Sequence, residues 1–131
     1  MPLLNVQLSD EELASRFYAA THSGKYAAYI RGYRCVNDLE TFKEFSAAFQ
    51  FPYYFGMNAA ALDECLCDLS WLSFTGLFLM IDHFESVYQG SVEDQKWLCN
   101  FLQRVQDWWE QQEIEMEILI NFGENQQKRK S

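Results

Sequence analysis

Between Phe51 and Leu72 the sequence reads FPYYFGMNAAALDECLCDLSWL, which places three carboxylates (Asp63, Glu64, Asp68) and two thiols (Cys65, Cys67) just behind an aromatic loop. Carboxylates grouped this closely can accept charge-assisted hydrogen bonds from guanidinium or ammonium groups, which is the chemistry of holding a cation or standing in for phosphate. The two thiols reach a metal from one side only. Cys35, Cys99, His22 and His83 lie elsewhere in the chain, so no converging tetrahedral set forms, and neither a metal nor a cofactor is expected. Free thiols are the expected state of all four cysteines. A second pair, Asp82 and His83, ends the apolar run GLFLMI, and open α/β sheets place ligand sites at such strand ends. No nucleophile motif or Gly-rich phosphate loop accompanies it, so the pair reads as structural and the chain is not expected to be an enzyme.

What the carboxylates can do depends on the element that carries them. Gly56 interrupts the preceding segment, and Asn58 is suited to accept a hydrogen bond from an orphan amide of a first helical turn. A helix is therefore predicted to begin there. At about 100° per residue, Leu62, Cys65, Leu66 and Leu69 share an inward face while Ala60, Glu64, Cys67 and Trp71 point outward, flanked by Asp63 and Asp68. The three alanines keep helix propensity high without bulk. Two readings stand for the acidic face: a surface displayed to a partner, or the ordinary solvated side of a helix. Cys65 reads as a small buried hydrophobe. Tyr53, Tyr54, Phe55, Trp71 and Trp109 either join in an exposed patch of the kind that marks protein contacts or belong to the core.

The neighbouring elements follow from similar signals. Ser9 with Glu12 has capping-box spacing, and Leu13, Phe17 and Ala20 recur near helical period, predicting a helix over 10–20. AAYIRG reads as a short strand ending at Gly32, a turn residue able to take positive φ. Asn37, with Glu40 three residues on, opens a helix whose Leu39, Phe42, Phe45 and Phe49 form a core stripe before Pro52 stops it. GLFLMI has the continuous apolarity of a central strand covered on both faces. From Ser91, a stripe of Trp97, Leu98, Phe101, Leu102, Val105 and Trp108 predicts another helix, and IEMEILINFG a last strand. Helices alternating with strands in this order predict an α/β domain with a parallel sheet.

A chain of 131 residues suits one domain, and no repeat, linker or second domain is visible. No apolar run approaches the roughly 20 residues of a membrane span. The N-terminus MPLLNVQLSDEEL has neither a basic region nor a long apolar one, so no secretory signal is expected and the cytoplasm is the expected compartment. A net charge of −9 repels nucleic acid and steers toward basic proteins. The one basic run, QQKRKS, lies in an end expected to be disordered over 124–131.

FPYYFGMNAAALDECL resembles the signature of the barstar family of ribonuclease inhibitors. YIRGYRCVNDLETFKEFSAAFQFP resembles that family's first strand, turn and first helix, and FLMIDHFE its second strand, so the resemblance runs over roughly 26–121. It implies a three-stranded parallel sheet with about four helices, to which 1–24 add an N-terminal helix within a single domain, 1–131. It further implies an immunity protein or antitoxin, monomeric in a 1:1 complex, that plugs the active site of a basic ribonuclease toxin. A different job on the same fold is a regulatory module for another basic protein. By the resemblance, Tyr54 matches a contacting tyrosine, Gly56 and Asn58 match positions at the binding edge, and Glu64 stands where the family has its most important aspartate. Cys67 and Asp68 complete the outward surface. Ala60 replaces a contacting aspartate and Asp63 a tryptophan, which changes the expected target. Asp107 is the counterpart of a contacting glutamate on the last helix if the apolar stripe there sets the register.

Overall fold

Each α-helix among the described residues begins at a side chain that accepts a hydrogen bond from its own first turn. The computed structural model describes residues 1–123; the predicted tail over 124–131 lies outside the described residues. Ser9 and Glu12 form a reciprocal capping box, Glu12 N donating to Ser9 Oγ at 3.2 Å and Ser9 N to Glu12 Oε1 at 3.1 Å, at the start of α1 (Asp10–His22). Asn37 caps α2 (Asp38–Phe49), Asn58 caps α3 (Ala59–Leu66) and Ser91 caps α4 (Val92–Gln111).

The strands are β1 (Leu4–Val6), β2 (Lys25–Arg31), β3 (Gly76–Asp82) and β4 (Met116–Asn121), in the order β1-β4-β3-β2 with every pairing parallel. The sheet thus has one strand more than the three expected. β1 escapes sequence patterning because three residues are too few to show an alternation, and its place is set by pairing with the end of β4, Leu4 opposite Leu119.

All seven residues of β3 are buried: the run GLFLMI, as its unbroken apolarity requires, and the terminal Asp82. Successive strand side chains point to opposite faces, and the two faces have different partners. Leu77, Leu79 and Ile81 of β3 join Met116, Ile118 and Ile120 of β4 in a core shared with Phe42, Phe45 and Phe49 of α2, Leu62 and Leu66 of α3, and α4. Phe78, Met80 and Leu119 face the other way, against Leu13 and Ala20 of α1. Each large side chain fully buried in this way is worth about 1.5–3 kcal/mol.

Three details depart from expectation. Leu39 is half exposed, so the α2 stripe is narrower than predicted. Trp97 and Trp108 stay partly exposed on α4, at 38% and 36%, whereas Trp109 is buried in place of its neighbour. Gly32 does not take positive φ. It opens a single 3-10 turn, Gly32–Arg34, where a Cβ would stand 2.2 Å from the Asp82 carbonyl oxygen. The need there is for close approach between backbones rather than for an unusual dihedral.

At the strand ends, Asn121 ties the N-terminal segment down. Its Oδ1 accepts from Leu8 N at 2.7 Å, and its Nδ2 donates to Leu8 O at 3.3 Å and to Asp82 Oδ1 at 2.9 Å. Among the described residues no helix is long and apolar enough to cross a membrane.

Candidate functional site

The aromatic loop divides into a buried base and an exposed tip. Phe51 packs edge-on against Phe55 (4.8 Å between ring centroids) and Trp71 (6.1 Å) and stacks on Phe49 (6.3 Å). Trp71 Nε1 donates to the Phe49 carbonyl at 2.8 Å. Phe55 N closes a turn onto Pro52 O at 3.0 Å, which pushes Tyr53 and Tyr54 outward, fully exposed and 68% exposed respectively. The five aromatics of the predicted patch therefore split. Two tyrosines are presented to solvent, Phe55 and Trp71 are half-buried supports, and Trp109 belongs to the core.

Asn58 joins loop to helix. Its Oδ1 accepts from Ala61 N at 2.8 Å, and its Nδ2 donates to Gly56 O at 3.1 Å. The left-handed residue before the helix is Met57, with φ 51°, rather than Gly56. Gly56 leaves room for that side chain: a Cβ there would sit 3.1 Å from Asn58 Nδ2, so a larger residue requires Asn58 to shift by a few tenths of an ångström. Asn58→Ala is expected to lower stability by about 0.5–2 kcal/mol and to loosen the loop, because both the cap and the tether to Gly56 go. Urea denaturation checks the first effect, and amide exchange of Ala61 the second.

The helix carrying the carboxylates is shorter than its pattern. α3 ends at Leu66, Cys67 N donates to Asp63 O at 3.0 Å, and Leu69 turns away at φ 51° with its side chain wholly buried. Leu69 and Trp71 are thus beyond the helix, and Trp71 faces the loop instead of solvent. Ala60, Asp63, Glu64 and Asp68 are exposed, and Cys67 is half-buried. None of Asp63, Glu64 or Asp68 forms a salt bridge among the described residues.

Asp63 and Glu64 also occupy the last turn of α3, and its first turn holds no acid. Negative charge at a helix C-terminus opposes the macrodipole, so the arrangement favours an incoming cation more than it favours the free helix. The thiols respond to the same field. Burial, then the charge of Asp63, pushes Cys67 up to about 11, and burial with the charges of Glu64 and Asp68 raises Cys65. Both remain protonated at neutral pH and are poor nucleophiles.

α4 fixes the far end of α3. Trp109, 6% exposed, donates from Nε1 to the carbonyl of Leu66 at 2.8 Å, satisfying one of the orphan acceptors at the helix end. Asp107 is held differently: Gln103 Nε2 donates to its Oδ1 at 3.0 Å and to Met1 O at 3.0 Å, which engages it with the N-terminal segment. Among the described residues no hydrogen bond or salt bridge ties Asp107 to α3. Arg104 is the α4 cation whose charge reaches Cys67, a feature that sequence spacing did not single out.

Beside Asn58, a groove of about 610 Å³ opens between Leu39, Phe42, Met57 and Trp97, with Asp38 and Asp94 on its walls. Its detection required the fold, since its residues come from the starts of three helices and from the loop.

A family model described as Barstar (barnase inhibitor) matches residues 26–121. No curated protein matches the chain.

Proposed function

The chain belongs to the barstar family of ribonuclease inhibitors, and on that premise we propose that it is an immunity protein or antitoxin that occupies the active site of a basic, cytotoxic ribonuclease. The observation that carries this reading is the set of exposed carboxylates on α3, Asp63 and Glu64 with Asp68 just beyond, free of salt bridges among the described residues and flanked by the exposed Tyr53–Tyr54 tip. A ribonuclease holds its substrate's phosphates with cationic side chains. A carboxylate accepts the same charge-assisted hydrogen bonds and, being fixed to a folded helix, blocks the groove without being cleaved.

Glu64 is the group assigned to the phosphate subsite, reaching one methylene further than an aspartate. Tyr54 supplies an aromatic contact of low conformational cost, and Gly56 and Asn58 shape the edge from which it projects. With Ala60 in place of a second acid and Asp63 in place of a tryptophan, the complementary enzyme differs from one that fits the usual family surface. The net charge of −9 speeds encounter with a basic partner, and raising salt slows it. The complex forms 1:1 in the cytoplasm and needs no cofactor.

A pull-down from the producing cell, followed by a nuclease inhibition assay on the recovered protein, tests this. Recovery of a small basic ribonuclease that loses activity at one equivalent is the expected result. Recovery of a basic protein without nuclease activity favours a regulatory module on the same fold and overturns the antitoxin reading.

A further inference from the structure

The second face of the sheet carries a site of its own, away from α3. Between α1 and the strands β2 and β3 lies a cavity of about 540 Å³ whose walls are Leu13, Ala14, Phe17 and Met80 and whose polar positions include Asp10, Tyr29 and Asp82. That volume is within the range of small-molecule sites. It lies toward the carboxyl end of β3, where parallel sheets present their ligands.

Asp82 is the informative group, since it is 5% exposed. Its Oδ1 is engaged, accepting from His83 N at 2.7 Å and from Asn121 Nδ2 at 2.9 Å. Its Oδ2 has no hydrogen-bond donor among the described residues, His83 Nε2 standing off at 3.6 Å. That oxygen is not sealed off, since no buried side-chain nitrogen or oxygen among the described residues lacks a partner, and it keeps room for an incoming donor. Among the described residues no lysine or arginine lines the cavity. The phenol of Tyr29 stays protonated, its pKa raised by burial first and then by the charges of Asp82 and, more weakly, Asp10.

We infer that this cavity binds a small organic amine, its ammonium on Asp82 Oδ2 and Asp10 and its apolar body along Leu13, Phe17 and Met80. An anion is excluded by the two carboxylates, and a neutral alcohol leaves them unneutralised. The site is independent of the ribonuclease surface, because α3 packs in the core on the opposite sheet face.

The test is an NMR titration of the full chain with n-hexylamine, using 1-hexanol and hexanoate as neutral and anionic counterparts. Saturable shifts are expected at Leu13, Tyr29 and Met80 with the amine, with hexanol at least about tenfold weaker. Asp82→Asn is expected to weaken the amine by a similar factor. Should that variant unfold, Ala14→Trp serves instead, since Ala14 is exposed on α1 and lines the cavity; it fills the space and abolishes the shifts. Equal binding of hexanol, shifts confined to α3, no saturation at millimolar amine, or binding retained in Ala14→Trp each overturns the assignment.

Discussion

Glu64→Ala is expected to weaken binding of the cognate ribonuclease by about 2–5 kcal/mol, roughly 30- to 5,000-fold, whereas Asp94→Ala changes it by less than about 1 kcal/mol. The difference rests on what each carboxylate meets in the complex. Glu64 is assigned to a site where both charges are desolvated, so its removal strands a cation of the enzyme. Asp94 lies in the first turn of α4 beside the groove next to Asn58, outside the α3 surface. The free protein should respond in the opposite sense. Glu64 sits in the last turn of α3, against the negative end of the helix, and its loss should raise stability by about 0.3–1 kcal/mol. Calorimetric titration against the recovered ribonuclease and urea denaturation of the free variant read the two effects separately. Equal affinities for the two variants would sink the site assignment; a stabilised variant that still binds at full strength would leave the acidic turn without a binding role.

Trp109→Ala is expected to cost about 3–5 kcal/mol of stability, a large share of what a domain of this size possesses. The side chain is 6% exposed, packs edge-on against Phe74 at 5.6 Å and donates to Leu66 O. Its truncation opens a cavity and leaves a carbonyl at the end of α3 without its donor. Trp109→Phe separates the two contributions: it keeps most of the ring contact and loses the hydrogen bond, for about 1 kcal/mol. Denaturation midpoints of the two variants check the order. A cost for alanine below that for phenylalanine contradicts the clamp. Because the clamp holds the last turn of α3, both changes should also weaken ribonuclease binding with Glu64 intact.

Much of this was legible in the sequence because it is encoded locally. Ser9 with Glu12, Asn37, Asn58 and Ser91 each announce a helix start within a few residues, and the unbroken apolarity of β3 announces a strand covered on both faces. What local pattern could not supply is where an apolar side chain goes once its element ends. Leu69 and Trp71 continue the helical period of α3, yet the chain leaves the helix at Cys67 so that Leu69 can enter the core in a left-handed conformation. Trp108 and Trp109 are adjacent, and it is the tertiary surroundings, Leu66 O and Phe74 among them, that bury Trp109. The acidic residues of α3 were identifiable by type and spacing. That no described cation pairs with them is a property of the fold, as is the turning of Asp107 toward Gln103.

The pairing of β1 with β4 has a consequence for synthesis on the ribosome. Leu4 pairs beside Leu119, so β1, the first strand translated, has no partner until β4 has been made, whereas α1 already finds β2 and the Phe78–Met80 face of β3. The nascent chain carries β1 unpaired until β4 has emerged, and the Leu119 side of the α1 contact is completed only then. Contacts of such sequence separation form slowly, which makes the interval before closure the time when the protein is most exposed to aggregation and to chaperone capture.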